Sequence, residues 1–185
     1  VRCVKFKHFI PICTCTISNQ KLNVLHQSDA WTGNMMFKYD ESGQVTDVKL
    51  LDFQALRFSA PVCSLVFFIW TSANHEVREH HLEDLYEIYC NALNENLAKL
   101  HCSERLTPGD IHEGMKLQSP SILATAAYFS PPLTNPKVMD FERRIALAQS
   151  DGENPYEESY DDEYCNGRFL KVLEQLEKHG VFCNL

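Results

Sequence analysis

Three side chains have the types and order that phosphoryl transfer uses. Asp29 sits in a polar loop after a short apolar run, Asn34 follows five residues later, and Asp52 comes after two strand-like runs. Such chemistry needs a carboxylate to orient and accept the proton of an attacking hydroxyl. It also needs an amide oxygen and a second carboxylate to hold Mg²⁺ against phosphates. Spacing alone leaves another reading open, in which Asp29 and Asn34 cap a loop and Asp52 is a solvated strand end.

The elements between these residues must bring them together. Met35–Tyr39 and Val45–Leu51 read as strands, and the intervening Asp40-Glu41-Ser42-Gly43-Gln44 is turn chemistry with a glycine for positive φ. A hairpin returns its end to its start, which brings Asp52 back near Asn34. Val24-Leu25 reads as a short strand leading into the loop. The rest reads as helix. Pro61–Ser72 is apolar, with Pro at a tolerated first-turn position. Leu82, Leu85, Tyr86, Tyr89, Leu93, Leu97 and Leu100 recur at helical spacing and predict one buried stripe. Thr107-Pro108-Gly109-Asp110 breaks the chain and caps the next helix. Ile122–Tyr128, Phe141–Gln149 and a last helix through Phe169, Leu170, Leu173 and Leu176 follow, the last with Gly180 as its cap. Residues 151–163 read as an exposed acidic stretch. Residues 1–20 are basic without an acid and receive no role, which leaves 21–185 as one domain.

Composition sets outer bounds. The 185 residues carry a formal net charge of −8, which argues against a nonspecific nucleic-acid grip. The longest apolar run, Ala60–Thr71, is about half of the roughly 20 residues a bilayer-spanning helix needs. The 8 cysteines read as thiols packed as small hydrophobes, and so as a reducing, cytoplasmic setting.

The stretch from Val24 to Ser72 resembles the ecdysteroid kinase-like family, within the wider choline-kinase and aminoglycoside-phosphotransferase group. The resemblance lies in Asp29, Trp31, Asn34, Met36-Phe37, Asp47-Val48-Lys49, Asp52-Phe53-Gln54, Arg57, Pro61 and Thr71-Ser72. The D-x-x-x-x-N spacing also occurs in protein-kinase catalytic loops, where D-F-G supplies the metal-binding Asp; here Gln54 takes the third place. The resemblance implies the C-terminal lobe of a protein-kinase-like fold, mostly α with a small β-hairpin. It implies Asp29 as catalytic base and Asn34 and Asp52 as Mg²⁺ ligands. Trp31 and Arg57 would brace the loop. ATP and Mg²⁺ would be the cofactors, and a hydroxyl on a small, lipophilic, ecdysteroid-like alcohol the acceptor.

The match departs at three supporting positions. Gln27-Ser28 stands where the family has His-Gly. Gln27 can replace one hydrogen bond of the histidine, and Ser28 crowds a tight turn. Ser64 replaces an Asp at the start of the apolar helix and brings no charge. No G-x-G-x-x-G or V-A-I-K-like stretch precedes Asp29, so the expectation is a lobe without its nucleotide-clamping partner and with little kinase activity by itself. The alternative is a non-catalytic, pseudokinase-type binding module.

Overall fold

A computed structural model of the chain describes residues 22–129, 167 and 169–184. The helix expected at Phe141–Gln149, the basic segment 1–20 and the acidic stretch 151–163 lie outside the described residues.

The chain is mostly helical, with two small antiparallel sheets. Strand β1 (Val24–Gln27) leads into the loop, and a single 3₁₀ turn, Thr32–Asn34, leads out of it. Strands β2 (Met35–Tyr39) and β3 (Val45–Leu50) form the expected hairpin, Met35 facing Leu50 and Tyr39 facing Val45, with a bulge beside Lys38 and Tyr39. Gly43 takes the turn's left-handed position at φ +82°. Asp40 ties the turn together: its Oδ1 accepts from the amides of Ser42 and Gln44, both at 2.9 Å. A second 3₁₀ turn, Phe53–Ala55, leads into β4 (Leu56–Ser59). Strand β4 pairs with β1, placing Leu56 against Gln27 and Ser59 against Val24. The expected single hairpin is therefore joined by a second two-stranded sheet. Leu56–Ser59 is only four residues long, too short for alternation to mark it.

Among the described residues the α-helices are α1 (Val62–Ser72), α2 (His75–His80), α3 (Leu82–Lys99), α4 (Pro108–Leu117), α5 (Ser119–Ala124) and α6 (Leu170–Lys178). Local chemistry sets their starts. Asn74 caps α2 by accepting from the Val77 amide at 2.8 Å. Thr107 and Asp110 form a reciprocal capping box at α4. The helix expected at Ile122–Tyr128 begins earlier, at Ser119, and becomes a π-helical turn from Thr125 to Phe129. Gly180 follows α6 at φ +69°, the conformation a C-terminal glycine is suited to supply.

Helix α1 is the spine of the core. Val62, Leu65, Val66, Ile69 and Trp70 are buried among Tyr86, Ile111, Met115, Ile122 and Leu176. On α3 the buried stripe is Leu82, Tyr86, Cys90 and Leu97, with Leu85, Tyr89 and Leu93 half-buried. Leu100 falls off it, 72% exposed, because the helix has ended at Lys99. Among the described residues no helix is long and apolar enough to cross a membrane.

Gly114 marks the closest approach of α4 to α1. A Cβ built there would lie 2.9 Å from Val62 Cγ1 and 3.0 Å from Cγ2. Val62 is β-branched and cannot swing aside easily. Gly114→Ala is expected to destabilise the fold by about 1–2 kcal/mol, because overpacking outweighs the better helix propensity of alanine. Urea unfolding of the two proteins checks this, and an equal or higher midpoint for the variant would contradict it.

Cysteine chemistry differs from the sequence expectation. Cys90, Cys102 and Cys183 are free thiols, but Cys63, in the first turn of α1, is disulfide-bonded. Spacing along a chain does not reveal pairing in space. The reading of Cys63 as a packed free thiol is therefore corrected.

Candidate functional site: the loop 27–34 and the hairpin end

The β1 strand delivers the loop, and the hairpin returns Asp52 to it. Asn34 stands one residue before Met35 in β2, and Leu51 one residue after Leu50 in β3, so the ladder brings them face to face. The Leu51 amide donates to the Asn34 carbonyl at 2.8 Å. Within the loop, the Trp31 amide donates to the Asp29 carbonyl at 3.2 Å and the Asn34 amide to the Trp31 carbonyl at 2.9 Å.

Asp29 and Asn34 are directly joined. Asn34 Nδ2 donates to Asp29 Oδ2 at 2.8 Å and to the Asp29 carbonyl at 2.9 Å. The amide nitrogen is thereby used, and the amide oxygen is left as an acceptor. Burial holds the Asp29 carboxyl above the ordinary carboxylate range; the Asn34 hydrogen bond opposes that shift, and the negative charge of Asp52 adds to it. The influence of Asp52 on Asp29 places the two carboxylates in one neighbourhood.

Asp52 has a left-handed backbone, φ 54° and ψ 76°, rare for a residue with a side chain. Gln54 holds it there: its amide donates to Asp52 Oδ1 at 3.4 Å and its side-chain Nε2 to Oδ2 at 3.1 Å. The Gln of Asp-Phe-Gln thus anchors the carboxylate, a role that spacing alone did not suggest.

The supporting residues divide. Gln27 braces the site: its Nε2 donates to the Leu51 carbonyl at 2.5 Å and to the Asp52 carbonyl at 2.7 Å. One side chain in β1 therefore clamps the end of the hairpin. Trp31 lays its ring over Gly33, where any Cβ would run into three ring carbons. Arg57 is exposed on β4, and its positive charge disfavours protonation of His26. Ser64 turns back on its own helix and donates to the Pro61 carbonyl at 3.3 Å. Two further contacts went unread in the sequence. Thr32 donates its amide to Ser72 Oγ at 3.0 Å, fixing the loop to the end of α1. His26 Nε2 meets Ser59 Oγ at 2.6 Å across the β1–β4 pair. Both partners are distant in sequence and belong to turns or short strands, so no local pattern announces them.

The donor set is two carboxylates and an amide oxygen, hard ligands of the kind Mg²⁺ takes. Among the described residues no three His, Cys, Asp or Glu side chains gather into a metal cage.

The sequence model of the ecdysteroid kinase-like family matches residues 5–102, more than half of the chain. The chain belongs to the ecdysteroid kinase-like family. The match includes the whole of the loop, the hairpin and α1. The family is one of kinase-like small-molecule phosphotransferases, and ATP and Mg²⁺ use belongs to it in general. No curated protein and no solved structure matches the chain.

Proposed function

We propose that this chain carries the base and metal-binding half of an ATP-dependent kinase that phosphorylates a hydroxyl on a small, lipophilic, ecdysteroid-like alcohol. The observation that carries the reading is the pairing of Asn34 with Asp29 through the amide nitrogen. It orients Asp29 and leaves the oxygen of Asn34 for a cation shared with Asp52. Asp29 uses Oδ2 to hold Asn34, so Oδ1 receives the acceptor's proton as its oxygen attacks the γ-phosphorus and the bond to the ADP oxygen breaks. Asn34 and Asp52 would hold Mg²⁺, which would neutralise charge on the phosphates. The substrate class rests on the family resemblance.

Titration of the full chain with Mn²⁺ and ATP, followed by the paramagnetic signal of the ion, tests the metal half. The expected result is Mn²⁺–ATP binding that weakens at least about tenfold in Asp52→Asn, the loss of one charged ligand. Equal binding by both proteins would refute the assignment. A second reading, a non-catalytic binding module, is favoured by Ser28 and Ser64 standing where the family pattern has Gly and Asp. It predicts nucleotide binding with no phosphate transferred to any alcohol.

A further inference from the structure

A small, mostly apolar cavity with a few polar groups borders the Asp29 loop, and Cys63, Val66 and Phe67 of α1 form its apolar wall. His26 and Ser28 line it from β1 and the loop; Gln118, Ser121 and Thr125 line it from the α4–α5 junction and the π turn. It leaves about 10 Å³ for the centre of a water molecule, and on that measure about 10–15 Å³ holds one.

Two atoms at this cavity are buried and have no protein partner. One is His26 Nδ1, on a side chain only 8% exposed, and the other is Ser28 Oγ. Nε2 of the same imidazole is already engaged by Ser59. Buried polar atoms are almost always hydrogen-bonded, and leaving two of them dry beside a cavity is costly. Wholly apolar cavities stay empty, but this one offers the polar partners a water needs.

We propose that one ordered water bridges His26 Nδ1 and Ser28 Oγ, which makes His26 a positioning residue for Asp29. The Ser28 amide already donates to the Ala55 carbonyl at 3.0 Å. The water gives the residue next to Asp29 a second tether, this one to an imidazole anchored on β4. Burial lowers the His26 pKa, an interaction with the Gln27 backbone opposes that shift and the Arg57 charge adds to it; the net direction favours the neutral ring, in which one nitrogen donates and the other accepts. Ser59 takes one role and the water the other. The family pattern has Gly at position 28, which has no hydroxyl, so this tether belongs to the present chain. The water itself does not depend on the phosphotransferase reading; the positioning role of His26 rests on it.

The test is water-selective NMR on the full chain with ¹⁵N-labelled histidine. The wild type is expected to show a long-lived water near the Ser28 or Asp29 amide and a single neutral tautomer at His26. Ser28→Ala is expected to lose that cross-peak, to shift the His26 Nδ1 resonance while Nε2 holds, and to speed exchange of the Asp29 amide about tenfold. Ser28→Thr keeps the hydroxyl and is expected to keep the cross-peak. Absence of a long-lived water in the wild type would overturn the proposal by itself, even where a variant does not fold. So would a cross-peak that persists in Ser28→Ala.

Discussion

In an active kinase that joins this lobe to a nucleotide-clamping lobe, Asp29→Asn is expected to lose phosphoryl transfer by about 10²- to 10⁴-fold, the usual contribution of a positioned general base, while the chain itself folds at least as stably as the wild type at neutral pH. The two halves of this expectation come from one fact. Burial and the charge of Asp52 raise the Asp29 pKa, and the Asn34 hydrogen bond only partly offsets them. The ionised carboxylate is therefore held at a cost to the fold. That cost is fully present above the raised folded pKa and shrinks as pH falls through it. It is absent below the ordinary carboxylate range, where both states are protonated.

An asparagine at position 29 is neutral at every pH, and its side-chain oxygen still accepts from Asn34. The stability difference between variant and wild type should thus favour the variant at neutral pH and close on acidification. Thermal unfolding across pH 3 to 8 checks the stability half; ADP release in the presence of an alcohol acceptor checks the rate. A variant that transfers phosphate at the wild-type rate would remove Asp29 from its role. A variant less stable at pH 7 than at pH 4, relative to wild type, would mean that Asp29 is held as a favourable anion instead.

The juxtaposition of the candidate residues was legible where residue type and topology coincide. Asp29, Asn34 and Asp52 are separated by a hairpin whose turn residues are explicit, and a hairpin has one geometry for its ends. Gln27 was expected to keep one hydrogen bond of an imidazole, and its amide donates to the Leu51 and Asp52 carbonyls. Ser64 and Arg57 were expected as loop supports from the family pattern, yet Ser64 donates to its own helix and Arg57 lies exposed. The loop's anchors at Ser59 and Ser72 lie 33 and 40 residues from their partners. Serine gives no periodic signal, so only the fold reveals them. The same holds for α6. Its stripe was read from Phe169, Leu170, Leu173 and Leu176, but the buried set is Val172, Gln175 and Leu176, and Leu170 is 48% exposed. A glutamine in a stripe of leucines reads as surface until its partners are known.

Those partners make Gln175→Ala the second large effect expected. Gln175 is 1% exposed. Its Oε1 accepts from Arg78 Nε at 3.0 Å, and its Nε2 donates to the His75 carbonyl at 2.9 Å and to Glu79 Oε2 at 3.3 Å. One side chain thus binds both ends of α2 to α6. Arg78 is itself only 8% exposed, with its guanidinium 5.5 Å from the Trp70 ring centroid and a donor on the Ala73 carbonyl. Truncation at 175 takes an acceptor from a buried cation, and a hydrogen bond to a charged group is worth about 1.5–3 kcal/mol. It also leaves a void where the amide was, so the total is expected near 3 kcal/mol. For a chain of this size that lowers Tm by about 6–12 °C. Gln175→Leu refills most of the volume but restores no acceptor, and is expected to recover less than half of the loss. The neighbouring Lys178–Glu79 pair provides the contrast. Lys178 is exposed, and Lys178→Ala should cost under about 1 kcal/mol, as surface ion pairs do. If Gln175→Leu instead matched the wild type, packing alone would hold α6, and the hydrogen bonds from α2 would be incidental to the fold.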